Sequence, residues 1–269
     1  MSLLSVENLS VVYGHNDNAF LAVSDVTFSI KKGQSFGLIG ESGCGKTTVA
    51  LAVLNLLGQN AVRTKGKIYF AGQDLTKISA AEWQKLRGRE IALIPQASQH
   101  SLNPVLNIGR QMTEHLCRHK AASSKAEALS LAKAGLREVG LSEAVLLHYP
   151  HQLSGGMRQR VAIAMAYLLK PQLIIADEPT NSLDVSSQEQ IIQLFNRLQK
   201  SGQISLLLIS HDMGVVARTC GNISVMNHGH MIEQGSCHSL FWQPREIYTQ
   251  KLLHSFWSLR KSNNVSVNC

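Results

Sequence analysis

Apolar and polar residues alternate at the start of the chain. Leu4, Val6 and Leu9 lead into Val11 and Val12, and this period of two predicts a strand. A second strand is expected over 21–30, ending at the turn-forming run Lys31-Lys32-Gly33. Residues 35–39 are apolar enough for a short buried strand, and they run through a glycine-rich turn into an apolar helix expected over 49–57. Further strands are predicted over 67–70, after Gly66, and over 91–94. From about 98 to 170 helix formers dominate and strand signals vanish, so a helical insertion is expected there. Strand signals return over 173–176 and 205–209. They flank an amphipathic helix with Ile191, Phe195 and Leu198 on one face. Residues 223–226 and 231–232 read as a closing hairpin around 227–230. Strands alternating with helices imply an α/β chain with a mostly parallel sheet, antiparallel strands at its start and a helical insertion in its middle.

The chemistry lies at the strand ends. Gly40-Glu41-Ser42-Gly43-Cys44-Gly45-Lys46-Thr47, with Thr48 next, fits G-x-x-x-x-G-K-[ST] between a strand and a helix. Glycines let the backbone wrap a phosphate chain, and the amides at the helix start face the anion with their positive ends. Lys46 supplies a charge for the β- and γ-phosphates, and the Thr47 hydroxyl a ligand for Mg²⁺. A nucleoside triphosphate site follows. Far along the chain, the apolar run 173–176 ends in Asp177-Glu178-Pro179, delivering two carboxylates to the edge where open α/β sheets bind ligands. There Asp177 is placed to hold the metal shell, and Glu178 to take a proton from an attacking water. His211 follows the strand 205–209 to the same kind of edge. The pairs His115/His119, His148/His151 and His228/His230 lack companion ligands at metal spacing and are expected in surface or turn roles.

Composition narrows the rest. A net charge of +8 is a modest solubilising balance, and no Lys/Arg block with interleaved aromatics points to nucleic acid. No apolar run approaches the roughly 18 residues of a membrane span. The opening residues lack the basic stretch of a secretory leader. Cysteines 44, 117, 220, 237 and 269 are scattered with no C-x-x-C pair, as suits free thiols in a reducing, cytosolic setting. The stretch 251–269 has basic residues and no acidic ones, the composition of an exposed tail.

Leu153-Ser154-Gly155-Gly156-Met157-Arg158-Gln159-Arg160, standing shortly before Asp177-Glu178, resembles the signature sequence of ABC-transporter ATPases. Ser154 can cap a helix expected through Leu169, with Gly155 and Gly156 leaving its amino end open to a γ-phosphate. The resemblance implies further roles. Tyr13 is the aromatic that stacks on adenine, with Phe20 as a substitute. Gln96 is the glutamine that contacts Mg²⁺ or water and senses the membrane partner. Asn181-Ser182-Leu183-Asp184 is the D-loop, and His211 contacts the γ-phosphate. Three segments resemble the peptide/nickel import branch: 101–104, 149–152, and Pro244-Arg245-Glu246-Ile247-Tyr248-Thr249. The segments 211–218 and 225–229 are similar to its nickel-uptake members.

The resemblance implies a P-loop (RecA-like) ATPase core with an antiparallel β subdomain and a helical, signature-bearing insertion. The ATPase domain is expected over 1–240, its helical subdomain at about 98–170, and a short C-terminal extension over 241–269. It implies an ATP- and Mg²⁺-dependent importer subunit for nickel, metal chelates or short peptides at the cytoplasmic face of a bacterial inner membrane. The implied partners are two transmembrane permease subunits, a second ATPase subunit (identical or paralogous) arranged head to tail, and indirectly an extracytoplasmic solute-binding protein. In that arrangement the phosphate loop, Asp177, Glu178 and His211 of one chain face the Ser154–Met157 turn of the other. The alternative is a non-transport ABC ATPase acting on ribosomes or DNA, which would carry two ATPase units in one chain or a long coiled-coil insertion. A plain P-loop kinase would have no use for the 153–160 segment.

Overall fold

The structure, a computed structural model, describes residues 2–14, 19–98, 101–200, 202 and 204–261. Cys269 and the end of the basic tail lie outside the described residues. The chain forms two compact units, one from Met1–Trp83 with Ser205–Cys269, the other from Gln84–Ile204. Among the described residues no helix is long and apolar enough to cross a membrane.

The first unit opens on β1 (Ser2–Tyr13) and β2 (Phe20–Lys31), antiparallel neighbours whose inward residues Leu4, Val6, Val23 and Ile30 are buried. β1 also pairs with β4 (Ala61–Phe70), and β4 with β5 (Gln73–Asp74), giving the sheet order β2-β1-β4-β5, and α2 (Ala80–Leu86) follows β5 in sequence. The strand expected over 67–70 therefore begins six residues earlier, at Ala61. Residues 61–65 show no apolar alternation; the ladder of Arg63 with Val11 and Val62 with Val12 holds them extended.

A second layer is built around β3 (Ser35–Ile39), fully buried, with β8 (Ser205–Ser210) parallel on one side and β9 (Asn222–Asn227) parallel on the other. Its continuous apolar sequence is what a strand covered on both faces requires. β10 (His230–Ser236) returns antiparallel to β9 as the expected hairpin. β3 feeds α1 (Lys46–Val53), which starts and stops earlier than the helix expected over 49–57. Gly45 at φ 105° is the left-handed residue before the first turn, and Asn55 at φ 51° follows the last, so backbone reversal sets both ends. α7 (Met213–Thr219) is capped by the Asp212 carboxylate, which accepts from the amides of Gly214 and Val215 at 2.7 and 3.3 Å. α8 (Cys237–Trp242) and α9 (Ile247–Lys261) close the unit.

In the second unit β6 (Ile91–Ile94) runs parallel to β7 (Leu173–Asp177). Helix α5 (Gly155–Tyr167) packs on β6, and α3 (Ile108–Arg118), α4 (Lys125–Glu138) and α6 (Val185–Lys200) pack on α5. α5 ends at Tyr167, two residues before the expected Leu169. In α6 the apolar face buries Ile191, Phe195 and Leu198 as its pattern predicted, together with Ile192 and Leu194.

Candidate functional site

In the first unit the loop after β3 folds around its own lysine. Lys46 is only 6% exposed, and its ammonium donates to the carbonyls of Gly40 and Glu41, both at 2.8 Å, with the Cys44 Sγ at 3.6 Å. Burying a charge is costly unless it is compensated, and two carbonyls compensate it only in part. Glycine is required at both ends of this loop by its surroundings. A Cβ at Gly40 would collide with the Met226 carbonyl of β9, and one at Gly45 would sit 2.5 Å from the Ala22 carbonyl. Glu41, Ser42, Gly43 and Thr47 are exposed, Thr48 is half-buried, and Cys44 is buried. The Tyr13 hydroxyl reaches the Thr48 hydroxyl at 3.4 Å, so the aromatic expected at the adenine stands beside the first turn of α1. Phe20, its cross-strand partner, is 64% exposed. Ile39 pairs with Ser210 in the β3–β8 register, so Gly40 and His211 leave the sheet side by side from one edge.

In the second unit Ile94 pairs with Ala176, and Gln96 and Asp177 therefore leave β6 and β7 at a common edge. Asp177 is 3% exposed, while Glu178 is half-buried. Three non-glycine residues here adopt left-handed backbone: Ala97 (φ 55°) after Gln96, Glu178 (φ 49°), and Ser182 (φ 61°) in the turn before Asp184. Such conformations cost energy and persist where surrounding structure imposes them, commonly at functional sites.

The Ser154 hydroxyl accepts from the Met157 amide at 3.2 Å and caps α5, as its position predicted. Just before it, the Gln152 side chain accepts from the Tyr149 amide at 2.8 Å, shaping the turn that delivers the cap. Ser154 is exposed and Gly155 half-exposed, but Gly156 is buried. A Cβ there would collide with the Ser187 Oγ and stand 2.8 Å from its Cβ, so close helix contact, in addition to an open helix end, demands this glycine. Ser187 is tied in turn to Asp184: its amide donates to Oδ1 at 2.9 Å and its hydroxyl to Oδ2 at 2.7 Å. The carboxyl of Asp184 is held below the usual range by the Ser187 amide and hydroxyl. Sequence reasoning missed Ser187, and also the buried bond from the Ser98 hydroxyl to the Gln159 carbonyl oxygen at 2.8 Å, which joins the segment after Gln96 to α5. The Asp184–Ser187 bonds span three residues, a spacing that a helix-capping pattern could have flagged. No local signal could have found the Gly156–Ser187 and Ser98–Gln159 contacts, whose partners are far apart in sequence.

The histidine pairs are not alike. His148 Nδ1 lies 2.9 Å from the Ala144 carbonyl, His151 stacks on Tyr149 with ring centroids 5.7 Å apart, and His228 occupies the β9–β10 turn. His115, expected at the surface, is half-buried instead. It lines a cavity of about 180 Å³ with Pro95, Ser98, Ser101 and Met165, and lies 4.8 Å from the His119 ring. Burial, with His119 and Arg118 nearby, lowers its pKa from the ordinary 6.5 to about 4. The unfolded chain then binds the proton more readily, so this contribution to stability is full above pH 6.5 and is lost as pH falls toward 4. The ring is partly open to solvent, so about 1–2 kcal/mol is expected. Denaturant unfolding at pH 7 and pH 5 should show that loss in the native protein and a smaller one in His115→Gln. Equal losses in both would contradict it.

The ABC transporter family model matches residues 23–181. The chain is 43% identical over 258 residues to the dipeptide transport ATP-binding protein DppD of Bacillus subtilis, spanning 94% of this chain and 76% of that one. It is 42% identical over 260 residues to DppD of Escherichia coli, spanning 95% and 78%. The glutathione import ATP-binding protein GsiA of Salmonella paratyphi A is 41% identical, over 93% of this chain and 41% of its own length. Among solved structures, the dimeric ATP-binding cassette MJ0796 in a post-hydrolysis state with ADP and Pi superposes with a TM-score of 0.77 at 28% identity, over 87% of this chain and 98% of that one. Clostridium perfringens cbiO1 shares the fold, with a TM-score of 0.78 over 98% and 99% of the two chains.

Proposed function

Because the chain belongs to the ABC transporter family, we propose that it is the ATP-hydrolysing subunit of an importer that takes up short peptides. The observation that carries the reading is the buried Lys46 ammonium, turned into a loop of amides and lacking any ion pair among the described residues. A triphosphate supplies the missing countercharge, bound by Lys46, the amides of residues 43–48 and the dipole of α1. Tyr13 would meet the base, and His211, beside the loop, the γ-phosphate. Thr47, Gln96 and Asp177 offer only oxygen donors, the set that suits Mg²⁺. When bound, that ion would neutralise phosphate charge. Glu178 accepts the proton of the attacking water, and Gln96 orients that water. Ser154, Gly155 and Gly156 serve the site of a second subunit, to which the exposed cap of α5 presents its amides. The dimeric state of the MJ0796 cassette supports that arrangement.

Permease subunits supply the membrane path and an extracytoplasmic binding protein the cargo, with this chain peripheral on the cytoplasmic side. The names of the relatives support peptides as cargo. Nickel or a metal chelate is the second reading, favoured by segments 211–218 and 225–229. Lys46→Ala is expected to weaken ATP binding by about 10- to 100-fold, the worth of a charge-assisted contact, by equilibrium titration with the full chain. Unchanged affinity would undo the phosphate assignment.

A further inference from the structure

The β9–β10 turn has no part in the chemistry above, yet it stands directly against the phosphate loop. Asn227 and His230 pair as the last rung of the ladder, so His228 and Gly229 are the two central residues of the hairpin. Both are left-handed, at φ 43° and 82°, the geometry of a type I′ turn. The amide of the second central residue in such a turn takes no part in the ladder. That of the buried Gly229 donates instead to the Cys44 carbonyl at 3.0 Å. The Gly229 carbonyl in turn accepts from the Ser24 amide of β2 at 2.9 Å. The glycine is thus held on two sides. A Cβ on it would stand 2.9 Å from the Ala22 carbonyl, at a φ that side chains rarely tolerate. The strand before the turn completes the wall: Val225 pairs with Ile39, and the Met226 methyl would lie 2.9 Å from a Cβ on Gly45.

A planar trans peptide directs its C=O and N–H to opposite sides. With the Cys44 carbonyl turned to Gly229, the Gly45 amide of the same peptide faces away from the hairpin. That amide stands at the cap of α1, among the donors that a phosphate would meet. Gly45, free in φ, would otherwise let the peptide rotate. We propose that Gly229 is a positioning residue of the phosphate loop: its amide fixes the Cys44–Gly45 peptide and keeps the Gly45 amide aimed at the phosphates before nucleotide arrives. Affinity is gained because the donor is already oriented. The inference rests on the reading of residues 40–48 as the ATP site.

The test is equilibrium binding of ATP and of inorganic triphosphate to full-length native, Gly229→Ala, Gly72→Ala and Lys46→Ala proteins. Gly72 is the matched control. With Ala71 it forms the β4–β5 turn at φ 47° and 84°, the same turn type, and nothing lies within 4 Å of an added Cβ. The expected result is a roughly ten-fold rise in Kd for Gly229→Ala with both ligands, the worth of one amide donor to a charged oxygen. Gly72→Ala should keep native Kd values. Equal losses in the two alanine variants would reduce the effect to turn strain and overturn the proposal. A loss for ATP alone, with triphosphate unaffected, would move the effect to the base and overturn it too. Native Kd values in Gly229→Ala beside a large loss in Lys46→Ala would remove Gly229 from the role and leave the phosphate site standing. If Lys46→Ala binds triphosphate normally, the site reading fails and the proposal falls with it. Should Gly229→Ala not fold, a backbone ester between His228 and Gly229 replaces it, made by joining a synthetic 220–269 segment at Cys220. The ester removes only the donor; it must raise both Kd values, and native values there overturn the proposal.

Discussion

Glu178→Gln is expected to bind ATP as tightly as the native protein and to hydrolyse it about 10²- to 10⁴-fold more slowly, the usual worth of a positioned general base. The amide keeps the size of the carboxylate and its place at the end of β7, and it cannot accept a proton from water. The backbone supports the assignment: Glu178 holds a left-handed conformation at φ 49°, and the Asn181 amide closes the turn onto its carbonyl at 3.2 Å. A conformation of that cost is kept where the direction of a side chain matters. Single-turnover hydrolysis with bound ATP quantified separately distinguishes a lost base from lost affinity. Native rates in the Gln variant would remove Glu178 from the role.

Gly156→Val is expected to lower turnover by about 10²- to 10³-fold, the range for losing aligned donors at a developing charge. The added side chain would drive into Ser187, whose hydroxyl holds Asp184. Two elements of the candidate site would shift together, the amino end of α5 and the turn before α6. Gly156→Ala combined with Ser187→Gly, which clears the nearest atoms, should recover part of the activity that Gly156→Ala alone loses. No recovery would mean that the glycine is needed for the approach of a ligand or partner and not for the contact with α6. Full turnover in Gly156→Val would remove the shared-site picture altogether.

Much of the layout could be read from the order of residues, because period and punctuation encode local structure. The alternation in β1 and β2, the apolar runs of β3, β7 and β8, and the one-sided pattern of α6 each follow from which faces are covered. The candidate residues were legible for a related reason: phosphate binding needs glycine, lysine and a hydroxyl at fixed spacing, and apolar strands ending in carboxylates stand out. What escaped was set by distant parts of the chain. The first half of β4 is extended only because β1 offers it a ladder. The ends of α1 are set by left-handed residues that could equally have stood in a loop. His115 reads like any other histidine until Ser98, Ser101 and Met165 enclose it. Likewise, the reason for Gly156 lies with Ser187, on a different helix.

The central strand of the first unit acquires both its neighbours late. β3 is bordered only by β8 and β9, and the Gly33 amide donates to a serine hydroxyl 172 residues further on. On the ribosome, the phosphate-loop strand must therefore wait with its backbone edges unpaired while the whole second unit is synthesised. Non-local pairing of this kind slows folding and exposes strand edges to aggregation. Late pairing of the phosphate-loop strand is thus built into the order in which this protein's strands are made.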